Sequence, residues 1–577
     1  MTVQGWFQIL LYVAVLTALT PLIGAYMYRV YTGETVLLSR IFGPIERLSY
    51  RLLRTGPEVE QDWKAYARTT LIFSAFFFVL LYVILRAQGS LPFNPDGFGG
   101  APPNVTFNTA TSFVTNTNWQ FYGGETTMSY LSQMAGLAVQ NFVSAAVGMA
   151  VLVAVIRGFI ARSGRSLGNF WVDLIRSLLY ILVPISVIGG LFLISQGVLQ
   201  TLDGSQTFQT LTGGSQTLAL GPVGSQEAIK ELGTNGGGFF NVNSAMPFEN
   251  PSGLTNFVEM VLILLIPAGL TATFGRMAGN KRLGWAIYGA MAAMFIVGVG
   301  IVYAAETSGS TAQHLAHVAG SNLEGKEVRF GDASSALGVV ITTVASCGAV
   351  NAAHEALTAI GGGVPIANMA TGEVIFGGVG SGLYGMLLFI LLAVFIAGLM
   401  VGRTPEFLGK KIEAREIKLV VLGTIAVPLL ALIATAVSIA TDAGRESIYN
   451  AGPQGFSETL YAYVSQANNN GSAFAGFTGF LQPNAPGNVG ATGVGFADFV
   501  GGFAMLVGRF APMILALAVA GSLAGKRVAP AGPGTMRTDT VTFVVLLVGT
   551  ILLVALLTFV PALLLGPVVQ ALTEQVF

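Results

Sequence analysis

Charged residues and cysteine are scarce in this 577-residue chain. Only 10% of its residues are charged, against about 25% in an ordinary soluble domain, whereas 53% are hydrophobic. The single cysteine, Cys347, excludes an internal disulfide. The formal net charge is zero, so the sequence shows no basic footprint for a nucleic acid. The composition therefore predicts an integral membrane protein that contacts lipid and has no nucleic-acid partner.

Apolar runs of helical length recur ten times along the chain. A bilayer-spanning helix needs about 20 apolar residues, whereas a barrel strand needs only about half as many. The runs predict an all-α polytopic membrane protein with spans at residues 5–28, 67–87, 130–158, 169–197, 254–275, 284–305, 380–401, 418–440, 494–523 and 541–570. No basic region precedes the first run, which is also too long for a secretory signal, so we expect a retained span.

Lysine and arginine are concentrated in alternate loops between these runs. Most of the 28 basic residues lie in one set of loops, for example Arg47, Arg162 and Arg282, whereas Lys230 is one of the few in the other set. Basic loops remain on the inner side of a membrane. The pattern therefore predicts a multi-pass membrane protein with both termini on the outer side.

Four short polar stretches recur in the predicted outer loops. Their third residues, Thr117, Gly236, Gly348 and Gly471, lie 119, 112 and 123 residues apart. A ring of backbone carbonyls can replace the hydration shell of a small cation, and the lack of Asp or Glu in the stretches favours a monovalent ion. We name the stretches candidate filter loops 1 to 4. Their candidate ion-binding residues are Thr115, Asn116 and Thr117; Thr234, Asn235 and Gly236; Ser346, Cys347 and Gly348; and Asn469, Asn470 and Gly471.

A polar, weakly helical segment precedes each candidate filter loop. The segments are residues 107–114, 225–232, 332–343 and 456–465. Each could form a short re-entrant helix, a pore helix, whose negative C-terminal end favours a cation in the loop that follows. The repeated unit is then span, pore helix, filter loop and span. The four units would cover residues 66–162, 168–280, 283–403 and 417–525, with extra spans within 1–30 and 540–577.

Three polar side chains near the loops are further site candidates. Gln120 follows loop 1, where its amide would support the filter wall or contact the ion; the alternative is an ordinary outer polar residue. Arg509 lies in the middle of a span, where an unpaired charge is costly. Glu373, its candidate partner, lies in a glycine-rich stretch that would break the seventh span. The two charges would form either a structural pair or part of an ion exit route.

The remaining charged residues and histidines fit structural roles. Arg176 follows Asp173 by three positions, which predicts a local ion pair on one helix. Arg403, at the inner end of a span, is an interfacial anchor or a contact with a partner subunit. His314 and His317 have a spacing seen in metal sites, but no carboxylate or cysteine cluster accompanies them, so we expect a solvated outer loop. His354 is expected to be structural.

The sequences around the loops resemble those of a known family. The runs at 112–120 (SFVTNTNWQ), 233–241 (GTNGGGFFN), 346–355 (SCGAVNAAHE), 402–411 (GRTPEFLGKK) and 468–472 (NNNGS) are similar to KdpA, the potassium-binding subunit family of the bacterial Kdp potassium-transporting ATPase. The resemblance extends from the first span to the last. It implies a location in the bacterial inner (plasma) membrane, a potassium-transporter fold of ten helices, K⁺ as the transported ion and no organic cofactor. It also implies KdpB-like P-type ATPase, KdpC-like and KdpF-like partner subunits, and favours a selectivity role for Gln120.

Two functions remain in competition. The first is the K⁺-selecting subunit of an ATP-driven uptake complex, and the second is a stand-alone channel or symporter of the Trk/Ktr type, which shares the four-repeat plan. The sequence contains no Walker A loop, no Asp-Lys-Thr-Gly phosphorylation sequence and no polar catalytic cluster. ATP hydrolysis would therefore belong to a partner within the translocating complex. The resemblance across the extended loop motifs favours the first function.

Overall fold

Long apolar helices dominate the computed structural model, which describes residues 1–162, 164–402, 404–478, 495–530 and 535–573. Within these residues, ten helices are long and apolar enough to cross a membrane. Their bounds are Val3–Thr32, Trp63–Ser90, Ser132–Ile160, Phe170–Ser195, Gly253–Met277, Lys281–Leu315, Ser381–Met400, Ala414–Ala440, Phe496–Ala524 and Val541–Thr573. The predicted polytopic all-α fold with ten spans is confirmed.

Four shorter helices occupy the loops that follow the second, fourth, sixth and eighth spans. They are the pore helices Pro103–Val114, Val223–Leu232, Gly331–Val344 and Gly452–Asn468. Proline lies in the first turn of two of them, at Pro103 and Pro453, where its missing N–H has no intrahelical partner. Each helix ends directly before its candidate filter loop, so the predicted repeat of span, pore helix, loop and span is confirmed.

The spans pack through small residues around a buried centre. The third span is the most enclosed, with 89% of its apolar window buried, against 28% in the first and last spans. A Cβ on Gly158 would lie 2.6 Å from the carbonyl oxygen of Ala520, and a Cβ on Gly24 would lie 2.6 Å from that of Gly269. Only glycine permits such backbone contacts between spans. The peripheral spans present exposed leucines and isoleucines, as a lipid-facing surface requires.

The remaining elements are short. A helix at Ala359–Ala370 is separated from the seventh span by residues 371–380, which confirms the predicted break. A surface helix, Ser39–Leu53, lies between the first and second spans. Two antiparallel hairpins pair Gln206–Gln209 with Ser215–Leu218 and Glu406–Phe407 with Lys410–Lys411. The other short helices are Gly124–Thr127, Asn243–Ala245, His354–Ala356 and Asp442–Arg445.

The predicted local pair between Asp173 and Arg176 is wrong. Both carboxylate oxygens of Asp173 bind the guanidinium of Arg157, at 2.6 and 2.8 Å, across a helix-to-helix contact. Arg176 instead contacts Glu46 of the surface helix, with 3.1 Å between Nε and Oε1. A bidentate contact between a planar guanidinium and a carboxylate is stronger than a pairing along one helix face, so the tertiary partner prevails over the sequence neighbour.

Candidate functional site

Each pore helix ends in the same turn. The second residue after Val114, Leu232 and Val344, and the first after Asn468, has a left-handed backbone with φ between +49° and +68°. In every loop the next residue's N–H bonds to the carbonyl five positions earlier, as Cys347 does to Thr342 at 3.2 Å. The left-handed residues are Asn116, Thr234, Ser346 and Asn469. Four pore helices therefore turn into their loops by one backbone conformation.

This shared turn shifts the register of loop 1 by one residue. Counting two positions on from the left-handed residue leads to Gly236, Gly348 and Gly471 in loops 2 to 4, but to Asn118 rather than Thr117 in loop 1. Asn118 has a φ of +58°, a conformation that asparagine tolerates better than most residues. Thr115 is the residue before the left-handed Asn116, and its hydroxyl caps the pore helix by donating to the carbonyl of Thr111. Asn118 therefore occupies the place that glycine has elsewhere.

Loops 1, 2 and 3 are joined in sequence. The side-chain amide of Asn116 donates to the carbonyl of Thr234 at 3.0 Å, and its oxygen accepts from Asn235 Nδ2 at 2.7 Å. The carbonyl of Asn235 in turn accepts the backbone N–H of Gly348 at 3.2 Å. Hydrogen bonds therefore connect the first loop to the second and the second to the third.

Loops 3, 4 and 1 complete the circuit. Ser346 Oγ donates to the carbonyl of Asn468 at 3.0 Å, and Asn469 Nδ2 donates to Thr117 Oγ1 at 2.9 Å. Every non-glycine residue in the predicted ion-binding set is at most 4% exposed. The four candidate filter loops thus form a closed and buried ring, on which the C-terminal ends of four pore helices converge.

Glycine allows the loops to touch at the backbone. Gly236 has a φ of +78°, and a Cβ there would lie 2.2 Å from the Cα and N of Gly348. Gly471 has a φ of +100°, and a Cβ there would lie 2.0 Å from the carbonyl oxygen of Thr117. In both cases the obstacle is backbone, which cannot rotate away. These two positions therefore require glycine both for conformation and for space.

Side chains behind the ring hold the outer carbonyls. In loops 1 and 4, serine hydroxyls seven residues upstream donate to a loop carbonyl, from Ser112 to Trp119 at 2.9 Å and from Ser465 to Ser472 at 2.6 Å. In loop 2 the equivalent donor is the ammonium of Lys230, which lies 3.0 Å from the carbonyl oxygen of Gly237. One backbone arrangement is therefore supported by two kinds of donor.

The ammonium of Lys230 is enclosed by acidic groups. Its Nζ lies 2.8 Å from Glu227 Oε2 and 2.8 Å from Glu249 Oε2, and all three side chains are at most 1% exposed. Burial alone would lower the pKa of Lys230, but the attraction of Glu227 and Glu249 outweighs it and raises the pKa above its ordinary value. Lys230 therefore lies directly behind loop 2 in surroundings that favour its charged form.

Two cavities lie on opposite sides of the ring. One, of about 870 Å³, is lined by Gln120, Gly348 and Gly471 among others. The other, of about 80 Å³, is lined by Ser346 and Asn469, the first residues of their loops, together with Glu373 and Arg509. The ring therefore separates a wide vestibule from a small cavity that contains two charged side chains.

The further candidates are placed around these cavities. Gln120 Nε2 donates to the carbonyl of Gly238 at 3.1 Å and so ties loop 1 to loop 2 at the vestibule wall. Glu373 accepts hydrogen bonds from Ser346 and Asn470. Among the described residues no carboxylate forms an ion pair with Arg509, so Glu373 and Arg509 share a cavity without direct pairing. Arg403 lies outside the described residues.

The histidines fit their structural reading. His354 is 2% exposed, and its Nδ1 lies 2.7 Å from the hydroxyl of Tyr461. Burial lowers the pKa of His354 to about 3, so its ring is neutral at physiological pH. His314 and His317 are both exposed.

The sequence reasoning did not single out Lys230 or Asn118. The signal for Lys230 was its place seven residues before Gly237, the spacing that also separates Ser112 from Trp119. The meaning of this spacing becomes clear only from the common turn of the loops, which shows that Lys230 and Ser112 occupy equivalent positions. A serine and a lysine are too different in chemistry to be matched from the sequence. The sequence did not indicate Asn118 as the counterpart of the loop glycines, because loop 1 contains no glycine.

A closed ring of four loops, each behind a re-entrant helix in a ten-span α-helical chain, defines the potassium-transporter class of membrane protein folds. The solved structure of the potassium transporter TrkH from Vibrio parahaemolyticus shares this fold with a TM-score of 0.51. The similarity covers 89% of this chain and 96% of that chain at 14% sequence identity. At this identity the likeness concerns the fold alone.

Sequence comparison gives a more specific result. The KdpA family model, described as the potassium-transporting ATPase A subunit, matches residues 10–572, and the chain belongs to this family. A potassium-transporting ATPase potassium-binding subunit from Methylobacterium nodulans is 56% identical over 99% of this chain and 98% of its own length. The subunit of the same name from Mesorhizobium japonicum is 54% identical over 99% of each chain.

Proposed function

We propose that this chain takes K⁺ from the outer side of the bacterial inner membrane through the ring of candidate filter loops. It acts as the potassium-binding and selecting subunit of an ATP-driven uptake complex. The closed ring is the observation that carries the proposal. Four buried loops meet there after the same left-handed turn, and a ring of backbone carbonyls can take the place of water around K⁺.

The chemistry of the ring favours a monovalent cation. Its loops offer carbonyl, hydroxyl and amide oxygens, and no carboxylate belongs to the loops themselves. Divalent ions such as Ca²⁺ favour sites that contain several carboxylates. The converging C-terminal ends of four pore helices add partial negative charge without adding a titratable group. A site of this kind suits K⁺ over a range of pH.

The small cavity on the far side of the ring is the natural continuation of the ion path. Glu373 would attract an ion that leaves the ring, and Arg509, which forms no ion pair among the described residues, would oppose its return. Replacing Arg509 by Met keeps the bulk and removes the charge, so transport should fall more than K⁺ binding. Binding titration and uptake measured on the same preparation check this, and an equal loss of both would contradict it.

ATP-dependent work requires partners. The named relatives are subunits of potassium-transporting ATPases, and a KdpB-like P-type ATPase with KdpC-like and KdpF-like subunits would supply nucleotide chemistry and complete the complex. The basic inner loops, including Arg403, are the expected contacts with these subunits. The Trk/Ktr-type alternative rests on a distant fold relative at 14% identity and has no further support.

Reconstitution in liposomes tests the assignment. Purified chain is inserted alone or with KdpB-like, KdpC-like and KdpF-like subunits, and K⁺ accumulation is followed after ATP is added. Accumulation is expected only with the partners and should stop when the phosphorylatable aspartate of the ATPase subunit is replaced. ATP-driven accumulation by the chain alone would overturn the proposal. Selective passive flux by the chain alone would instead favour the channel alternative.

A further inference from the structure

The surface helix Ser39–Leu53 has a different composition on each of its three faces. One face is apolar, because Ile41, Ile45, Leu48 and Leu52 recur at intervals of four, three and four residues. These four side chains are between 46% and 74% exposed, although each is large and hydrophobic. The protein therefore leaves the apolar face of this helix uncovered.

A second face is basic. Arg40, Arg47 and Arg51 recur at intervals of seven and four residues, which places them on one side of the helix, and Arg54 follows at its end. All four are exposed. Within the described residues none of them forms an ion pair with a carboxylate, whereas Arg176 nearby does. Four positive charges thus lack a counter-charge from the described part of the chain.

The third face fixes the helix to the protein. Glu46 binds Arg176 Nε at 3.1 Å and accepts the hydroxyl of Tyr180 at 2.6 Å. Phe42 packs edge-on against Tyr180, with 6.1 Å between the ring centroids. Both partners belong to the fourth span, Phe170–Ser195. The helix is therefore held at the end of the spans with its orientation fixed.

We propose that the surface helix lies in the plane of the membrane interface and binds anionic phospholipid headgroups. On a helical wheel the basic face is about a quarter to a third of a turn from the apolar face, as in helices that sit at the headgroup boundary. The apolar face enters the acyl region while the arginines meet phosphates, and anionic lipid supplies the missing counter-charge. The inference is independent of the proposed K⁺ function.

Lipid titration of the full-length chain in detergent tests the charge contribution. Native mass spectrometry measures the affinity for phosphatidylglycerol and for phosphatidylcholine as probes. At low salt the variant Arg40→Gln/Arg47→Gln/Arg51→Gln should lose about fivefold in phosphatidylglycerol affinity per arginine, on the order of a hundredfold in total. Its phosphatidylcholine affinity should remain unchanged. Elution profile and unfolding temperature confirm that the variant is folded.

A matched variant removes the same number of exposed basic groups elsewhere on the same membrane face. Lys281→Gln/Arg282→Gln/Arg415→Gln changes three exposed residues that also form no ion pair among the described residues, but lie in the first turns of membrane spans rather than on the surface helix. It should keep most of its phosphatidylglycerol affinity. An equal loss in both variants, or no loss in the first, would overturn the proposal.

Depth measurement tests the orientation. Single cysteines at Leu48 and Arg47 are labelled with bimane in liposomes of phosphatidylglycerol and phosphatidylcholine that contain a doxyl-labelled lipid. The native Cys347 is fully buried and does not compete for the label. Acyl-chain doxyl should quench the label at Leu48 strongly and the label at Arg47 weakly. Equal quenching at the two neighbouring positions would overturn the in-plane arrangement.

Discussion

Candidate filter loops 2 and 4 follow the same backbone path with different support. Both begin with a left-handed residue, Thr234 or Asn469, and reach a glycine two positions later. Behind loop 4 a neutral serine holds the outer carbonyl, whereas behind loop 2 a buried lysine does so. The comparison shows that backbone geometry at the ring is independent of the chemistry that fixes it from behind.

Removal of the serine hydroxyl and removal of the lysine ammonium should have different consequences for the protein. Removing the neutral hydroxyl of Ser465 leaves the carbonyl of Ser472 and the N–H of Gly471 without their partner, a loss of about 1–2 kcal/mol. Removing the ammonium of Lys230 leaves Glu227 and Glu249 buried without a counter-charge, which is far more costly. Loop 2 should therefore be the most fragile part of the ring, although its geometry matches the others.

The largest effect is expected for Lys230→Met. This change should destabilise the fold by about 3–5 kcal/mol and abolish high-affinity K⁺ binding, because two buried carboxylates lose their common partner. Thermal unfolding and K⁺ titration of the purified chain check it. Lys281→Met, which changes an exposed lysine, is the control and should behave as the unmodified chain. Normal K⁺ binding by a folded Lys230→Met protein would contradict the role of the ammonium.

The variants Gly236→Ser and Gly471→Ser should lose similar, intermediate amounts of K⁺ affinity. Each forces a Cβ into a neighbouring backbone and into a positive-φ conformation, a strain of about 1–3 kcal/mol before the clash is counted. Weaker K⁺ binding and poorer discrimination against Na⁺ are expected in both. Competition titration measures this, with Gly289→Ser as control because a Cβ there meets nothing within 4 Å. A loss confined to one loop would break the equivalence of loops 2 and 4.

The smallest effects are expected for Ser465→Ala and Ser112→Ala. Ser465→Ala removes the 2.6 Å hydrogen bond to the carbonyl of Ser472 and the 3.1 Å bond that Ser465 Oγ accepts from Gly471 N–H, and should weaken K⁺ binding by about 1–2 kcal/mol. Ser112→Ala, its counterpart in loop 1, removes the bond to the carbonyl of Trp119 and should cost about 1 kcal/mol, or roughly fivefold in affinity. Titration of both variants beside Ser308→Ala, which changes an exposed serine, provides the measurement. If either serine variant lost as much K⁺ affinity as Lys230→Met, the charge of Lys230 would not explain the difference between loops 2 and 4.

The features that sequence could predict are those that leave a local pattern. Apolar runs indicate spans, and the recurrence of Gly236, Gly348 and Gly471 indicates a ring, because glycine marks special backbone in a readable way. Asn118 takes the same conformation without such a mark, so the register of loop 1 required the structure. Arg176 pairs with Glu46 of the surface helix rather than with Asp173, because the fold brings Glu46 within bonding distance and sequence spacing does not reveal this. Arg509 was recognisable as a costly charge, but its cavity is lined by the seventh, eighth and ninth spans together with loops 3 and 4.

The contact between Asn469 and Thr117 also determines when the ring can exist. The two residues are separated by 352 positions along the chain. At about 5–20 residues per second, a ribosome needs on the order of 20 to 70 seconds to make the intervening segment. Until then loop 1 lacks its contact with loop 4. The early spans must therefore enter the membrane while Thr117 still lacks this partner. Completion of the ring, and with it of the proposed ion site, is therefore a late event in the biogenesis of this protein.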